Sequence, residues 1–87
     1  MFYVYVLKSI RDDELYVGYT SNLKRRIKEH NDGENFSTQF RRPFKLSYYE
    51  AYNSKEDAQE REKQLKRRGQ ARHQLKRRIY RSLIDNS

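Results

Sequence analysis

The sequence predicts an α+β domain: a small three-stranded antiparallel sheet flanked by helices, in the order β-β-α-β-α-α. Two apolar and aromatic runs near the start lie close enough to form a hairpin, and a third aromatic run occupies 44–52. Stretches with helical spacing of apolar residues follow the second and third runs. The 87 residues suffice for one domain, which we place at 1–84, with a short C-terminal tail at 85–87.

The first two strands are predicted at 2–7 and 15–19. Residues 2–7 are apolar or aromatic at every position, as expected of a central strand covered on both faces. A hairpin loop centred between Ile10 and Arg11 would place Tyr5 opposite Tyr16. Directly opposed side chains share one face of a sheet with Cβ atoms about 5 Å apart, so we expect two phenols to stand together there.

The first helix is predicted at 23–31, after the capping residue Asn22. Arg26 and His30 lie four residues apart, along one edge of its apolar stripe. Side chains in that position would overhang the preceding strand, which is typical of a functional site. A cationic helix with one histidine is also common on a solvated surface, and this helix alone does not decide between the two. The stripe itself consists of Leu23 and Ile27.

Three further elements are predicted in the second half of the chain. An ordered loop at 36–42 leads into the third strand at 44–52. Ser54 can cap a helix that runs to about residue 68, and a last helix occupies 70–84. The last helix carries an apolar stripe at four-residue spacing, formed by Ala71, Leu75, Ile79 and Leu83.

One carboxylate of the second helix, Glu62, is predicted to point inward. On a helical wheel it falls within the apolar stripe that contains Ala58 and Leu65. A buried carboxylate is costly unless it is paired, hydrogen-bonded or bound to a cation. Two interpretations stay open: a functional ligand, or an ion pair with Lys66 one turn later, worth about 0.3–0.5 kcal/mol.

The charge of the chain narrows the class of partner. The formal net charge is +8, so nucleic acid or an anionic membrane surface would be attracted to it. The region 61–81 carries ten Lys or Arg residues against one Glu. We expect nucleic acid, DNA above all, to be bound by a basic set: Lys24, Arg25, Lys66, Arg67, Arg68, Arg72 and Lys76.

Other features of the sequence exclude whole classes of protein. No run approaches 18 apolar residues, and the N-terminus lacks the pattern of a signal peptide. The absence of cysteine removes disulfides and thiolate metal sites, so any metal must be held by oxygen or imidazole. We therefore expect a soluble cytoplasmic protein that needs neither a membrane nor an obligate protein partner.

These motifs, in this order, resemble the GIY-YIG nuclease superfamily, and in particular its small single-domain bacterial branch. Tyr3-Val4-Tyr5 and Tyr16-Val17-Gly18 stand where the family has its two characteristic tripeptides, and Tyr5 and Tyr16 are eleven residues apart. Tyr3 replaces the glycine of the first tripeptide. The asparagine that often follows the family's metal-binding glutamate has no clear counterpart. The other matching positions are Arg26, His30, Asn31, Thr38, Pro43 and Glu62.

The resemblance implies an endonuclease that hydrolyses DNA phosphodiester bonds. Because the sequence shows no separate domain that would read a site, we expect branched, flapped or damaged DNA as candidate substrates. Glu62 would bind Mg²⁺ or Mn²⁺, and Arg26 would stabilise charge on the scissile phosphate. Tyr5 or Tyr16 would deprotonate or orient the attacking water, and His30 would assist proton transfer or phosphate binding. The alternative is a non-catalytic module that keeps the fold and binds DNA, RNA or a ribosome.

Overall fold

The computed structural model describes residues 1–84 and contains one sheet with helices on both faces. The strand order is β2-β1-β3, and both neighbouring pairs are antiparallel. The predicted fold class is confirmed, while the tail predicted at 85–87 lies outside the described residues. The elements are β1 (Phe2–Ser9), β2 (Leu15–Thr20), α1 (Leu23–Asn31), a 3-10 turn (Gln39–Arg41), β3 (Phe44–Tyr52), α2 (Lys55–Lys66), α3 (Gln70–Arg78) and α4 (Tyr80–Ile84).

The central strand β1 is buried on both faces, as its unbroken apolar run predicts. Successive side chains of a strand point to opposite faces, so β1 contributes to two separate cores. The core beneath α2 and α3 contains Val4, Val6, Val17, Ala58, Leu65, Leu75 and Ile79. The core beneath α1 contains Tyr5, Leu7 and Phe44, with Tyr16, Leu23, Ile27 and Leu46 packed against it.

The register of the β1–β2 hairpin differs from the prediction. Tyr5 pairs with Gly18, and Tyr16 pairs with Leu7, so the two tyrosines are not directly opposite each other. The displacement is two residues, which preserves the alternation of faces. Tyr5 and Tyr16 therefore still share a face as diagonal neighbours, with ring centroids 6.4 Å apart.

Side-chain hydrogen bonds in the turn explain this register. The Ser9 hydroxyl accepts the backbone N–H groups of Arg11 and Asp12, each at 3.2 Å. Asp13 adopts a left-handed φ of 61°, and the Ser9 N–H donates to the carbonyl of Glu14 at 3.0 Å. These bonds centre the turn between Arg11 and Asp12, one residue later than predicted. Moving the centre by one residue changes the partner of every strand residue by two.

The predicted helix starts are confirmed, whereas the second helix ends earlier than predicted. Asn22 Oδ1 accepts the N–H of Arg25 at 3.1 Å, and Ser54 Oγ accepts the N–H of Asp57 at 3.2 Å. The second helix ends at Lys66 rather than near residue 68, because the next residue is already extended. The loop at 36–42 is ordered by the short 3-10 turn.

The last predicted helix, 70–84, is two helices that meet at Ile79. There the backbone leaves the helical region, with φ −103° and ψ 25°. An apolar stripe with four-residue spacing drifts by about 40° per step around a straight helix. The break at Ile79 redirects the chain, so that Ile79 is buried and Leu83 still packs against the same core. Within residues 1–84, no helix combines the length and apolar character needed to cross a bilayer.

Candidate active site

Three side chains, from β1, α1 and the loop before the 3-10 turn, form a buried hydrogen-bonded chain. Tyr5 Oη lies 2.9 Å from His30 Nε2, and His30 Nδ1 lies 2.8 Å from Thr38 Oγ1. Tyr5 is 1% exposed, and His30 and Thr38 are 0% exposed. His30 thus points into the protein, rather than standing on a solvated face of α1.

The absence of a side chain at Gly18 allows Tyr5 to reach this position. A Cβ atom built on Gly18 would lie 2.3 Å from both Cζ and Oη of Tyr5. The Tyr5 ring therefore lies against the β2 backbone at its own register partner. Glycine is required here because the Tyr5 ring packs so close to the backbone, and not because the backbone adopts an unusual φ.

Burial shifts the pKa values of the two central groups in opposite directions. It raises the pKa of Tyr5 to about 12, a shift that the Arg26 guanidinium opposes. It lowers the pKa of His30 to about 4, and the positive charge of Arg26 adds to that effect. The phenol and the imidazole are therefore both neutral at pH 7.

Tyr16 and α2 complete one side of the site. The Tyr16 ring centroid is 4.9 Å from that of His30, and Lys66 Nζ lies 6.0 Å from the centre of the Tyr16 ring. Lys66 also forms an ion pair of 3.1 Å with Glu62, whose negative charge contributes to the raised pKa of Tyr5. Side chains from β2, α1 and α2 thus surround Tyr5 of β1.

Arg26 reaches the same phenol from α1. Its Nη1 donates to Glu29 Oε1 at 3.0 Å, and its side chain is 30% exposed. Burial lowers the pKa of Arg26, but hydrogen bonding to Glu29 and Tyr5 outweighs this, so the net pKa is raised. The sequence analysis did not identify Glu29 as a partner of Arg26, although its i,i+3 spacing is the signal that would find it.

The structure supports both interpretations of Glu62 in part. The carboxylate is 21% exposed and pairs with Lys66, as the ion-pair interpretation expects. Its negative charge also helps to raise the pKa of Tyr5. Within residues 1–84, no group of three or more His, Cys, Asp or Glu side chains is arranged to hold a metal. A single carboxylate that already neutralises an ammonium group still suits Mg²⁺, which usually keeps several of its waters.

The basic residues predicted to bind nucleic acid lie on two faces of the sheet. Lys24 and Arg25 are exposed on α1. On the other face, Lys66 is exposed at the end of α2, Arg67 and Arg68 in the turn that follows it, and Lys76 on α3. Arg72 is partly buried because its Nη1 donates to the Leu65 carbonyl at 3.2 Å. A cavity of about 550 Å³ between α3, α4 and the hairpin turn is lined by Lys8, Arg72, His73, Lys76 and Arg77, among others.

Comparison with known proteins identifies the family. A sequence model described as the GIY-YIG catalytic domain matches residues 1–80. The chain belongs to the GIY-YIG family. The matched region includes every side chain of the site described above, from both tripeptides to the inward carboxylate of α2.

Similar proteins place this GIY-YIG domain in the small bacterial branch. A UPF0213 protein of Clostridium perfringens is 47% identical over 68 residues, covering 77% of this chain and 72% of the relative. A UPF0213 protein of Bacillus licheniformis is 44% identical over 75 residues, covering 82% and 76%. The solution NMR structure of a UPF0213 protein from Bacillus halodurans aligns with a TM-score of 0.57 and 32% identity, covering 100% of this chain and 98% of that one. The expected family and branch are thereby confirmed.

Proposed function

We propose that this GIY-YIG domain is a metal-dependent endonuclease that hydrolyses phosphodiester bonds in DNA. The observation that carries the proposal is the convergence of a cation and a carboxylate, Arg26 and Glu62, on the buried Tyr5–His30 pair. A module that only bound nucleic acid would need surface Lys and Arg, but it would have no use for a phenol surrounded in this way.

Tyr5 fits the role of general base better than Tyr16 does. Its oxygen lies 2.9 Å from His30 Nε2, and although burial raises its pKa, the Arg26 guanidinium opposes that rise. In hydrolysis, the phenolate takes a proton from water as the new P–O bond forms, and the P–O bond to the leaving oxygen breaks. With a pKa of about 12, forming that phenolate at pH 7 costs about 7 kcal/mol, so added positive charge near Tyr5 is needed.

Arg26 and Glu62 would supply the remaining electrostatics. The partly exposed guanidinium of Arg26 can donate to a phosphate oxygen and stabilise the charge of the transition state. Glu62 would hold Mg²⁺ or Mn²⁺ in place of the Lys66 ammonium, which would then be free to contact a phosphate. When bound, the metal would neutralise charge on the scissile phosphate. Tyr16 would orient the water or the phosphate from the same face as Tyr5.

Cleavage assays on duplex, single-stranded, flap and junction DNA with Mg²⁺ or Mn²⁺ test the proposal. Arg26→Ala and Glu62→Ala should each reduce cleavage at least about 100-fold while much of the DNA binding remains. Lys28→Ala and Glu60→Ala are matched controls, because both side chains are exposed on the same two helices. They should cleave as the unmodified protein does.

The second candidate function is a non-catalytic nucleic-acid-binding module, which the Glu62–Lys66 ion pair favours because it occupies the proposed metal ligand. Binding without cleavage of every DNA in the panel, at every metal concentration, would establish this alternative. In either case Arg72→Ala and Lys76→Ala should weaken binding to all sequences similarly. Each should reduce the slope of log K against log salt by about 0.9 for every phosphate contact removed.

A further inference from the structure

We propose that Phe36 and Phe40 stack on unpaired bases of the DNA strand that is cut, so that the substrate is DNA with single-stranded nucleotides beside the scissile phosphate. The position of that phosphate rests on the proposed function, whereas the stacking itself can be measured without cleavage. The sequence analysis assigned these two residues only to an ordered loop.

The two phenylalanines are the most exposed large apolar side chains of residues 1–84. Phe36 is 85% exposed and Phe40 is 75% exposed. Among the described residues, neither ring belongs to either core. Single apolar side chains scattered over a surface are normal in soluble proteins. Two phenyl rings in one short loop are a different case, and they indicate a surface that a partner covers.

Hydrogen bonds hold the loop in the conformation that exposes the rings. The Thr38 N–H donates to the Asn35 carbonyl at 3.2 Å, and the Arg41 N–H donates to the Thr38 carbonyl at 2.9 Å. Asn35 Oδ1 also accepts the N–H and the hydroxyl of Ser37, at 3.0 and 2.6 Å. Both rings are therefore carried by closed turns, so little conformational entropy is lost when a partner binds them.

The same loop is joined to the candidate active site at two points. Thr38 lies midway between the two phenylalanines and is buried, with its hydroxyl 2.8 Å from His30 Nδ1. Two residues of chain span at most about 7 Å, so each ring is attached close to Thr38. Arg41 Nη2 lies 3.5 Å from the carbonyl of Leu15, the residue before Tyr16. A DNA strand whose scissile phosphate lies in the site therefore passes the rings within a few nucleotides.

Unpaired bases fit this surface better than a second copy of the chain does. Two phenyl rings bury about 300–500 Å² between them, whereas a stable protein interface needs about 800 Å² from each partner. The formal net charge of +8 repels another copy and attracts a polyanion. Every base has a face that can stack on a phenyl ring, but in a duplex the neighbouring bases already cover those faces. The rings therefore distinguish unpaired from paired strands, and not one base from another.

Tryptophan fluorescence of the full-length protein tests the stacking directly, because the chain contains no tryptophan. Phe36→Trp and Phe40→Trp each introduce a single fluorophore, whose emission single-stranded and flap DNA should quench and blunt duplex DNA should not. Tyr49→Trp is the control: Tyr49 is 51% exposed on β3 and packs against Tyr3 rather than against the loop. Its emission should not be quenched by any of these DNAs.

Fluorescence anisotropy without added metal measures the contribution of the rings to affinity. Phe36→Ala and Phe40→Ala should each weaken binding of single-stranded and flap DNA about tenfold and leave binding of blunt duplex unchanged. The slope of log K against log salt should stay the same, because a phenyl ring neutralises no phosphate. Phe36→Tyr and Phe40→Tyr keep a ring and should bind normally. Ile10→Ala removes an exposed apolar side chain that has no ring, and should have no effect.

Three outcomes would overturn the proposal. The first is equal quenching by single-stranded and duplex DNA, or quenching by neither. The second is a blue shift of the tryptophan emission with anionic phospholipid vesicles and no response to DNA, which would assign the rings to a membrane surface. The third is a dimer that Phe36→Ala or Phe40→Ala converts to a monomer in sedimentation without a change in DNA affinity, which would assign the rings to contact between copies.

Cleavage assays separate this proposal from the proposed function. If the protein cleaves no DNA but single-stranded DNA quenches both Trp variants, the nuclease function fails and the stacking stands. If the unmodified protein cleaves DNA and the double variant Phe36→Ala/Phe40→Ala keeps the same ratio of flap to duplex cleavage, the stacking fails and the function stands. If both proposals hold, the double variant should raise KM for flap DNA at least about tenfold with little change in kcat.

Discussion

Replacing Gly18 with alanine should displace Tyr5 from His30. The new Cβ would lie 2.3 Å from Cζ and Oη of Tyr5, whereas ordinary contact begins at 3.4 Å, so the ring must move by about 1.1 Å. The ring has little room to move, because Tyr16 and His30 pack against it at centroid distances of 6.4 and 5.8 Å. Overpacking of this kind costs about 1–3 kcal/mol.

The loss of stability is measured by urea unfolding. With an m value of about 1 kcal/mol/M for so small a domain, the midpoint should fall by about 1–3 M. If the domain cleaves DNA, the activity remaining in folded Gly18→Ala protein should fall about 100-fold, because a catalytic group misplaced by 1 Å loses that much. The control is Gly69→Ala: a Cβ there meets nothing within 4 Å, so only a helix-cap preference of at most about 1 kcal/mol is lost.

An unchanged urea midpoint together with an unchanged His30 ring signal in Gly18→Ala would refute the reasoning. Such a result would mean that the Tyr5 ring does not lie against the β2 backbone. The hydrogen bond between His30 and Tyr5 would then have to be formed in another arrangement.

Three further predictions concern stability. Asn31→Ala removes two hydrogen bonds to the Phe44 backbone, at 2.6 and 3.1 Å; it should cost about 2 kcal/mol and speed hydrogen exchange of the Phe44 amide. The unfolded chain takes up a proton at His30 near pH 6.5, but the folded protein does so only near pH 4. The free energy of unfolding should therefore fall by up to about 3 kcal/mol from pH 7 to pH 4, and His30→Gln should flatten that dependence in urea titrations. Burial raises the pKa of Glu50, but the hydrogen bonds it accepts, above all from Arg61, lower it by more, so the net pKa is below 4.5. The ionised carboxylate therefore stabilises the folded protein above pH 4.5, and this stabilisation is lost in acid. Glu50→Gln should destabilise the protein by roughly 2 kcal/mol at neutral pH, with a smaller difference at pH 3 in thermal unfolding.

Much of the fold could be predicted because its signals are short-range. The unbroken apolar run of β1, the caps at Asn22 and Ser54, and the aromatic run of β3 each act on neighbouring residues. Their order along the chain was sufficient to predict the sheet and the helices around it. The break that divides the last predicted helix at Ile79 could not be predicted in the same way, because it depends on how Ile79 and Leu83 pack against the core.

The sequence by itself determined the inventory of the site: two tyrosines, an arginine, a histidine and an inward carboxylate. Only the tertiary structure decided how they meet. The hydroxyl of Ser9 set the turn and hence the pairing of Tyr5 with Gly18, which no strand pattern reveals. Thr38 lies in a loop without a period, and it contacts His30 only because the chain folds back over α1. Periodicity and capping act within a few residues, whereas hydrogen bonds between distant side chains exist only once packing has brought their elements together.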